Sequence, residues 1–238
     1  MLLEGSRVVV IGGASGMGLA TARAAVAEGA SVVIAGRTMR KLRDAADLVG
    51  RGTEPIVVDL IDEGSVAELF EEVGELDHLA VTGASGSTGA FLSQPVSEAR
   101  EFMDSKFWGA FRAARYAAPR VKRGGSITFN SGTYAVKPSA GVAAVTASLA
   151  ALEMLGKSLA LELAPVRVNS VRPGTIDTPL WGSISEAERQ EMFEAAAGRA
   201  PVGRIGRPED VVRAILFLMD HHYLTGTVLE VNGGESLV

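Results

Sequence analysis

Short runs of apolar and β-branched residues alternate along the chain with longer Ala-rich segments in which apolar positions recur at helical spacing. The first pair is Arg7-Val8-Val9-Val10-Ile11 followed by residues 19–28 and Gly29, which reads as a strand and then a helix with a glycine stop. Further strands are predicted at 31–34, 54–58, 77–81, 126–130, 166–171 and 228–231, with helical segments at 39–49, 65–73, 97–118, 140–163 and 208–219. Apolar runs of this length suit parallel strands covered on both faces. The pattern predicts an α/β fold: one doubly wound, Rossmann-type domain spanning 1–238, with a seven-stranded parallel sheet and helices on both faces. No linker rich in Pro, Ser or charge interrupts the alternation. The one long departure is 178–207, where Trp181, an acidic helix-like stretch at 185–197 and Pro201 lie between a strand and the next helix. Insertions at the carboxyl ends of strands form substrate-side lids, and an ordinary surface excursion is the alternative.

Composition narrows the function. The net charge is −5, with acids and bases interleaved, so no basic footprint for nucleic acid or anionic lipid is present. The chain has no cysteine, which excludes disulfides, thiolate nucleophiles and cysteine-ligated metals and suits a reducing cytoplasm. His78, His221 and His222 make no metal-ligand spacing, so no metal site is expected. The first residues lack signal-peptide character, and no apolar stretch was expected to reach the ~18 residues of a membrane span. The reading is a soluble cytoplasmic protein with a small-molecule substrate and neither membrane nor nucleic-acid partners.

Candidate chemistry begins directly after the first strand, with Gly12-Gly13-Ala14-Ser15-Gly16-Met17-Gly18 opening the first helix. Gly12 can take the tight turn, Gly16 lets the backbone approach a pyrophosphate, and Gly18 permits close helix packing. Ser15 and Met17 lie between them at the helix amino terminus, whose free N–H groups attract an anion. The spacing is G-x-x-x-G-x-G rather than G-x-G-x-x-G, and a ligand-free glycine turn is the alternative. At the end of the second strand, an acid would bind the ribose 2′-hydroxyl of NAD, whereas an arginine would accept a 2′-phosphate. Arg37 stands there, with Arg40 and Lys41 one turn on, which favours NADP(H) over NAD(H). A solvated basic helix start is the competing account.

With these features in place the chain resembles the short-chain dehydrogenase/reductase family over nearly its full length. Gly12 to Gly18 is similar to the family's T-G-x-x-x-G-x-G turn, with Ile11 in the threonine place. Val57-Val58-Asp59-Leu60 resembles its adenine-contacting Asp strand, and Pro173-Gly174-Thr175-Ile176-Asp177-Thr178 resembles its nicotinamide-side P-G-x-x-x-T turn. Arg167-Val168-Asn169, Arg207-Pro208-Glu209-Asp210, and Thr225-Gly226 with Val231-Asn232-Gly233-Gly234 extend the likeness. The resemblance implies cofactor contacts at Asp59, Leu60, Pro173, Gly174, Ile176 and Thr178. It also implies a homo-tetramer or homodimer built on the two long helices.

The family's catalysis rests on Asn, Ser, Tyr and Lys, and here the resemblance places apolar residues. Aligning Ala150-Ala151-Leu152-Glu153 puts Val145 in the tyrosine place and Leu149 in the lysine place. The serine place falls near Gly132, with Ser131 one residue early, and Lys106 of Lys106-Phe107-Trp108-Gly109 occupies the asparagine place. The family's N-N-A-G turn is altered to Val81-Thr82-Gly83-Ala84. From this, an NADP(H)-dependent oxidoreductase acting on a carbonyl or alcohol with a rearranged site is expected: the Lys106 ammonium lies over Leu149 and lowers the pKa of the Tyr134 hydroxyl, with Ser131 nearby. A surface role for Lys106 and Tyr134 is the plainer alternative. An NADP(H)-binding sensor or structural subunit without turnover is the second function class, and elimination or isomerisation using Lys106 a third.

Overall fold

The computed structural model describes residues 1–50 and 52–238. Seven strands form one parallel sheet in the order β3-β2-β1-β4-β5-β6-β7: β1 (Arg7–Ile11), β2 (Ser31–Gly36), β3 (Thr53–Val57), β4 (Leu76–Val81), β5 (Val121–Asn130), β6 (Arg167–Pro173) and β7 (Val228–Val231). Helices α1 (Gly16–Ala27), α2 (Met39–Val49), α3 (Glu63–Val73), α4 (Val96–Met103), α5 (Gly109–Ala117), α6 (Ala143–Glu162), α7 (Glu186–Arg199) and α8 (Pro208–Asp220) connect the strands or extend the connections. The strand order reverses at β1/β4, so the ligand crevice of a doubly wound sheet lies beyond the carboxyl ends of these two strands.

Strand side chains point alternately to the two faces, and each face has its own core. Val9, Ile11, Leu79, Ile127 and Phe129 pack with α3, α5 and α6 on one side. Val8, Val10, Ala80 and Val171 pack with α1, α2 and α8 on the other. Gly109 brings the start of α5 close to the turn after β3: a β-carbon there would stand 2.8 Å from that of Leu60.

Three sequence expectations are corrected. The single helix read at 97–118 is broken by a five-residue π-helical turn, Asp104–Trp108, which separates α4 from α5 and shifts the register of every side chain after it. β5 starts five residues before the predicted strand, because its polar first half still pairs with Leu76 before a register shift. Finally, α6 is long and apolar enough to cross a membrane, with a mean hydropathy of 1.3. Its composition has another cause: α6 is the crossover between β5 and β6, which pair with each other, and it covers their hydrophobic face.

The amino-terminal edge of the sheet carries a pH-sensitive buried group. His78 on β4 lies beside Ser126, with Nδ1 2.9 Å from Oγ. Burial first, and then the positive charge of Arg167, lower its pKa from 6.5 to about 4. Above pH 6.5 the ring is neutral in folded and unfolded chains alike and carries no penalty. Below it the unfolded chain binds a proton that the fold refuses until about pH 4. Stability should therefore fall by about 3 kcal/mol as pH drops through that window. Urea denaturation at pH 7.5 and 4.5 measures this loss, and His78→Gln should remove most of it. Asp210, lowered to about 2 by its bond to Arg204, adds acid sensitivity only at lower pH.

Candidate functional site

The chain leaves β1 through Gly12, whose φ of +86° only glycine adopts without strain. A β-carbon there would lie 2.5 Å from the Gly83 nitrogen and 2.7 Å from Thr82 Oγ1, so the turns after β1 and β4 touch at the crevice floor. A β-carbon on Gly18 would stand 2.1 Å from the carbonyl oxygen of Gly12, so α1 rests directly on the turn. Ser15 is the cap residue of α1, yet its hydroxyl makes no capping bond, and the N–H groups around Gly16 and Met17 receive nothing from it. Across the crevice, Thr178 Cβ lies 3.4 Å from where a β-carbon of Gly16 would be. The result is a glycine-lined cradle at the positive end of a helix, with Thr178 opposite, suited to a phosphate pair.

Arg37 follows β2 directly and is exposed, as are Arg40 and Lys41. None of the three belongs to an ion pair among the described residues, which leaves a cationic patch beside the cradle. Asp59 holds the turn after β3 by accepting from the Ile61 nitrogen at 3.1 Å, while the cap of α3 is Asp62. Leu60 is partly buried against Gly109, and its carbonyl accepts from Arg112 at 3.0 Å. On the far side Pro173 accepts from Thr133 Oγ1 at 2.9 Å, and the Gly174 N–H donates to Val231. Ile176 bridges to Gly206 and accepts from Trp181 Nε1 at 2.8 Å, so both stems of the insertion are fastened to one another beside Thr178. The insertion itself is a short 3-10 turn and α7, started by the Ser185/Glu188 capping box.

The other predicted residues separate. Ser131 is buried and turned beneath the crevice, where its hydroxyl donates to Glu153 Oε1 at 2.7 Å. It is not free to serve as the expected catalytic hydroxyl, because a buried carboxylate already holds it. Gly132 follows, and a β-carbon there would meet Leu149 Cδ1 at 3.2 Å. Val145 and Leu149 are both buried on α6, at 9% and 5% exposure. Tyr134 lies on a short 3-10 turn after β5, 40% exposed, and Lys106 lies buried at 6% in the π-helical turn. No hydrogen bond joins the two, so the expected pairing of phenol and ammonium is not made. Nor is Lys106 the surface residue of the plainer reading: burial alone lowers its pKa to about 8.

Sequence reasoning missed a charge network beneath the site. Arg172, at the end of β6, donates through Nε at 2.9 Å and Nη2 at 2.7 Å to the two oxygens of Glu153, and through Nη1 to Glu230. Glu230 in turn accepts from Asn232 and Ser236. The signals available were Glu153 in the middle of the apolar run of α6 and Arg172 near the end of a fully buried strand.

A family model described as enoyl-(acyl carrier protein) reductase matches residues 12–236, nearly all of the chain. The chain belongs to the short-chain dehydrogenase/reductase family. Among relatives in that family, the 3-oxoacyl-[acyl-carrier-protein] reductase FabG of Thermotoga maritima is 32% identical over 98% of this chain and 99% of its own length. A solved small-chain dehydrogenase in complex with NADPH is 34% identical, with a TM-score of 0.83, 99% of this chain covered and all of that one. The MalC reductase/Diels-Alderase of Malbranchea aurantiaca superposes with a TM-score of 0.93 at 30% identity, covering 100% of this chain and 98% of its own. The seven-stranded Rossmann-type architecture is thus that of the short-chain dehydrogenase/reductases, with MalC demonstrating how far the shared backbone extends.

Proposed function

We propose that this chain is an NADP(H)-dependent oxidoreductase that reduces a carbonyl, or oxidises the corresponding alcohol, at an atypical site. The observation that carries the cofactor half is the glycine cradle between α1 and Thr178, flanked by Arg37, which belongs to no ion pair among the described residues. Gly12, Ser15, Gly16, Met17 and Gly18 would hold the pyrophosphate, Arg37 the 2′-phosphate, and Asp59 and Leu60 the adenine. Pro173, Gly174, Ile176 and Thr178 would line the nicotinamide. When bound, that group supplies hydride. The protein's own part is orientation, exclusion of water by the insertion at 178–207, and movement of one proton, for which Lys106 and Tyr134 are the available carriers. A small-molecule substrate in a single domain, and pairing of copies across α5 and α6, where Trp108 just before α5 and Met154 and Leu161 on α6 are exposed, complete the reading.

NADPH oxidation against a panel of aldehydes and ketones tests it, together with titration of NADPH and NADH by fluorescence. Arg37→Ala should weaken NADPH by about 10- to 100-fold, the contribution of a charge-assisted phosphate contact, and leave NADH within about threefold. Equal loss for both dinucleotides would reject the 2′-phosphate role.

A second reading is favoured by one observation, the buried apolar pair Val145 and Leu149 where the family resemblance places a phenol and an ammonium. It is a nucleotide-binding sensor or structural subunit without redox turnover. Tight NADPH binding with no oxidation across the panel would select it.

A further inference from the structure

The loops after β4 and β5, two of those that border the chemistry end of the crevice, carry almost no ionisable groups. From Thr82 to Ser97 there is no Asp, Glu, Lys, Arg, His or Tyr, and from Ser131 to Leu152 there are only Tyr134 and Lys137. The Lys137 ammonium donates to the carbonyl oxygen of Glu235 at 3.1 Å, and Tyr134 is 40% exposed. Lys106 is different. Its side chain is buried, and among the described residues it belongs to no ion pair; it lies in a π-helical turn that Ser105 fastens to the loop after β4. Ser105 Oγ accepts from the Ser85 N–H at 3.0 Å and donates to its carbonyl at 2.5 Å. A π-helical turn is a costly irregularity found mostly at functional sites, and a lysine side chain buried outside any ion pair is costly as well.

Resting on the oxidoreductase reading above, we propose that Lys106 itself is the proton donor of carbonyl reduction, in place of a phenol. Hydride from reduced nicotinamide adds to the carbonyl carbon and the C=O π pair moves to oxygen. That oxygen takes a proton from the Lys106 ammonium, leaving alcohol, oxidised nicotinamide and a neutral amine that solvent reprotonates. Alcohol oxidation runs the same path backwards, with the neutral amine as base.

Proton affinity suits the task, since burial lowers this amine to about 8 and a donor works best when its pKa lies near the working pH. The turn packs on α4, α5 and α6, and their charges are already engaged or outside. Glu98 accepts from Ser87, Asp104 pairs with Arg112, Glu153 is held by Arg172, and the Tyr116 hydroxyl bonds to Glu63. Arg100, Glu101, Arg115, Lys157 and Glu162 face solvent.

The test compares two hydride acceptors in wild type and in Lys106→Met: an aldehyde or ketone, which must gain a proton, and a preformed N-alkyl iminium salt, which accepts hydride alone. Carbonyl reduction should fall by about 100-fold or more, the usual contribution of a general acid, while iminium reduction stays within about threefold. In wild type, kcat for carbonyl reduction should decline above pH 8, and Tyr134→Phe is measured beside Lys106→Met as the competing donor. Independently of turnover, acetic anhydride labelling of Lys106 in the cofactor-free protein, followed by mass spectrometry across pH, should reach half its maximum near pH 8. Parallel loss of both acceptors in Lys106→Met, loss of carbonyl reduction in Tyr134→Phe alone, or labelling that matches exposed lysines would each overturn the assignment. Absence of turnover with both acceptors, despite bound NADPH, would instead defeat the oxidoreductase reading and this inference with it.

Discussion

Gly18→Ala should raise the dissociation constant for NADPH by about 100-fold or more, equivalent to about 2.7 kcal/mol. The added methyl would sit 2.1 Å from the Gly12 carbonyl oxygen and 2.7 Å from Thr82 Oγ1. Backbone stands on one side and a pinned hydroxyl on the other, for Thr82 Oγ1 donates to the Ile11 carbonyl at 2.9 Å. The methyl therefore has to lift α1 away from the turn, and the helix amino terminus moves off the place where a pyrophosphate would lie. Gly13→Ala is the useful control. Its β-carbon would meet the side chain of Ile34 at 2.8 Å, a crowding of β2 rather than of the cradle. It should lower the melting temperature while costing less dinucleotide affinity. Fluorescence titration of both variants measures the difference, and a Gly18→Ala protein that binds NADPH within threefold of wild type would show that the turn is not the phosphate seat.

The parts of the molecule legible in its sequence are those where local chemistry and fold agree. Strands such as Val8-Val9-Val10-Ile11 are buried on both faces and so carry uninterrupted apolar runs, and the glycines after them mark places where backbone meets backbone. Arg37 was placed by counting along a βαβ unit, which fixes the end of the second strand. The chemistry end was less legible because its arrangement depends on a helix irregularity. The π-helical turn at Asp104–Trp108 has no composition signal, yet it decides that Lys106 is buried and not on the surface. Ser131 and Gly132 are adjacent in sequence, but one reaches down to Glu153 and the other faces Leu149; only the register at the end of β5 tells them apart. The Glu153–Arg172 pair joins residues 19 apart on different layers, and no local pattern encodes such a match.

That pair sets the other large effect. Glu153→Ala should reduce the free energy of unfolding by about 3 kcal/mol, because it leaves the Arg172 guanidinium buried with one of its two carboxylates gone. The side chains are only 8% and 11% exposed, so water cannot replace the lost oxygens cheaply. Glu230 remains on Nη1, which holds the cost near the lower end of the range for breaking a buried pair. For a chain of this size the melting temperature should fall by about 6–12 °C. Ser131 loses its acceptor in the same variant, so the segment after β5 loosens together with the end of β6 at Pro173, and both border the proposed nicotinamide face. Replacing both charges, Glu153→Leu with Arg172→Met, should recover most of the stability, since the desolvation cost disappears with the ions. A double-mutant cycle read by urea denaturation separates the two cases. A single variant that loses less than about 1 kcal/mol would mean that Glu230 alone neutralises Arg172, and that the brace under the crevice hangs from β7 instead of α6.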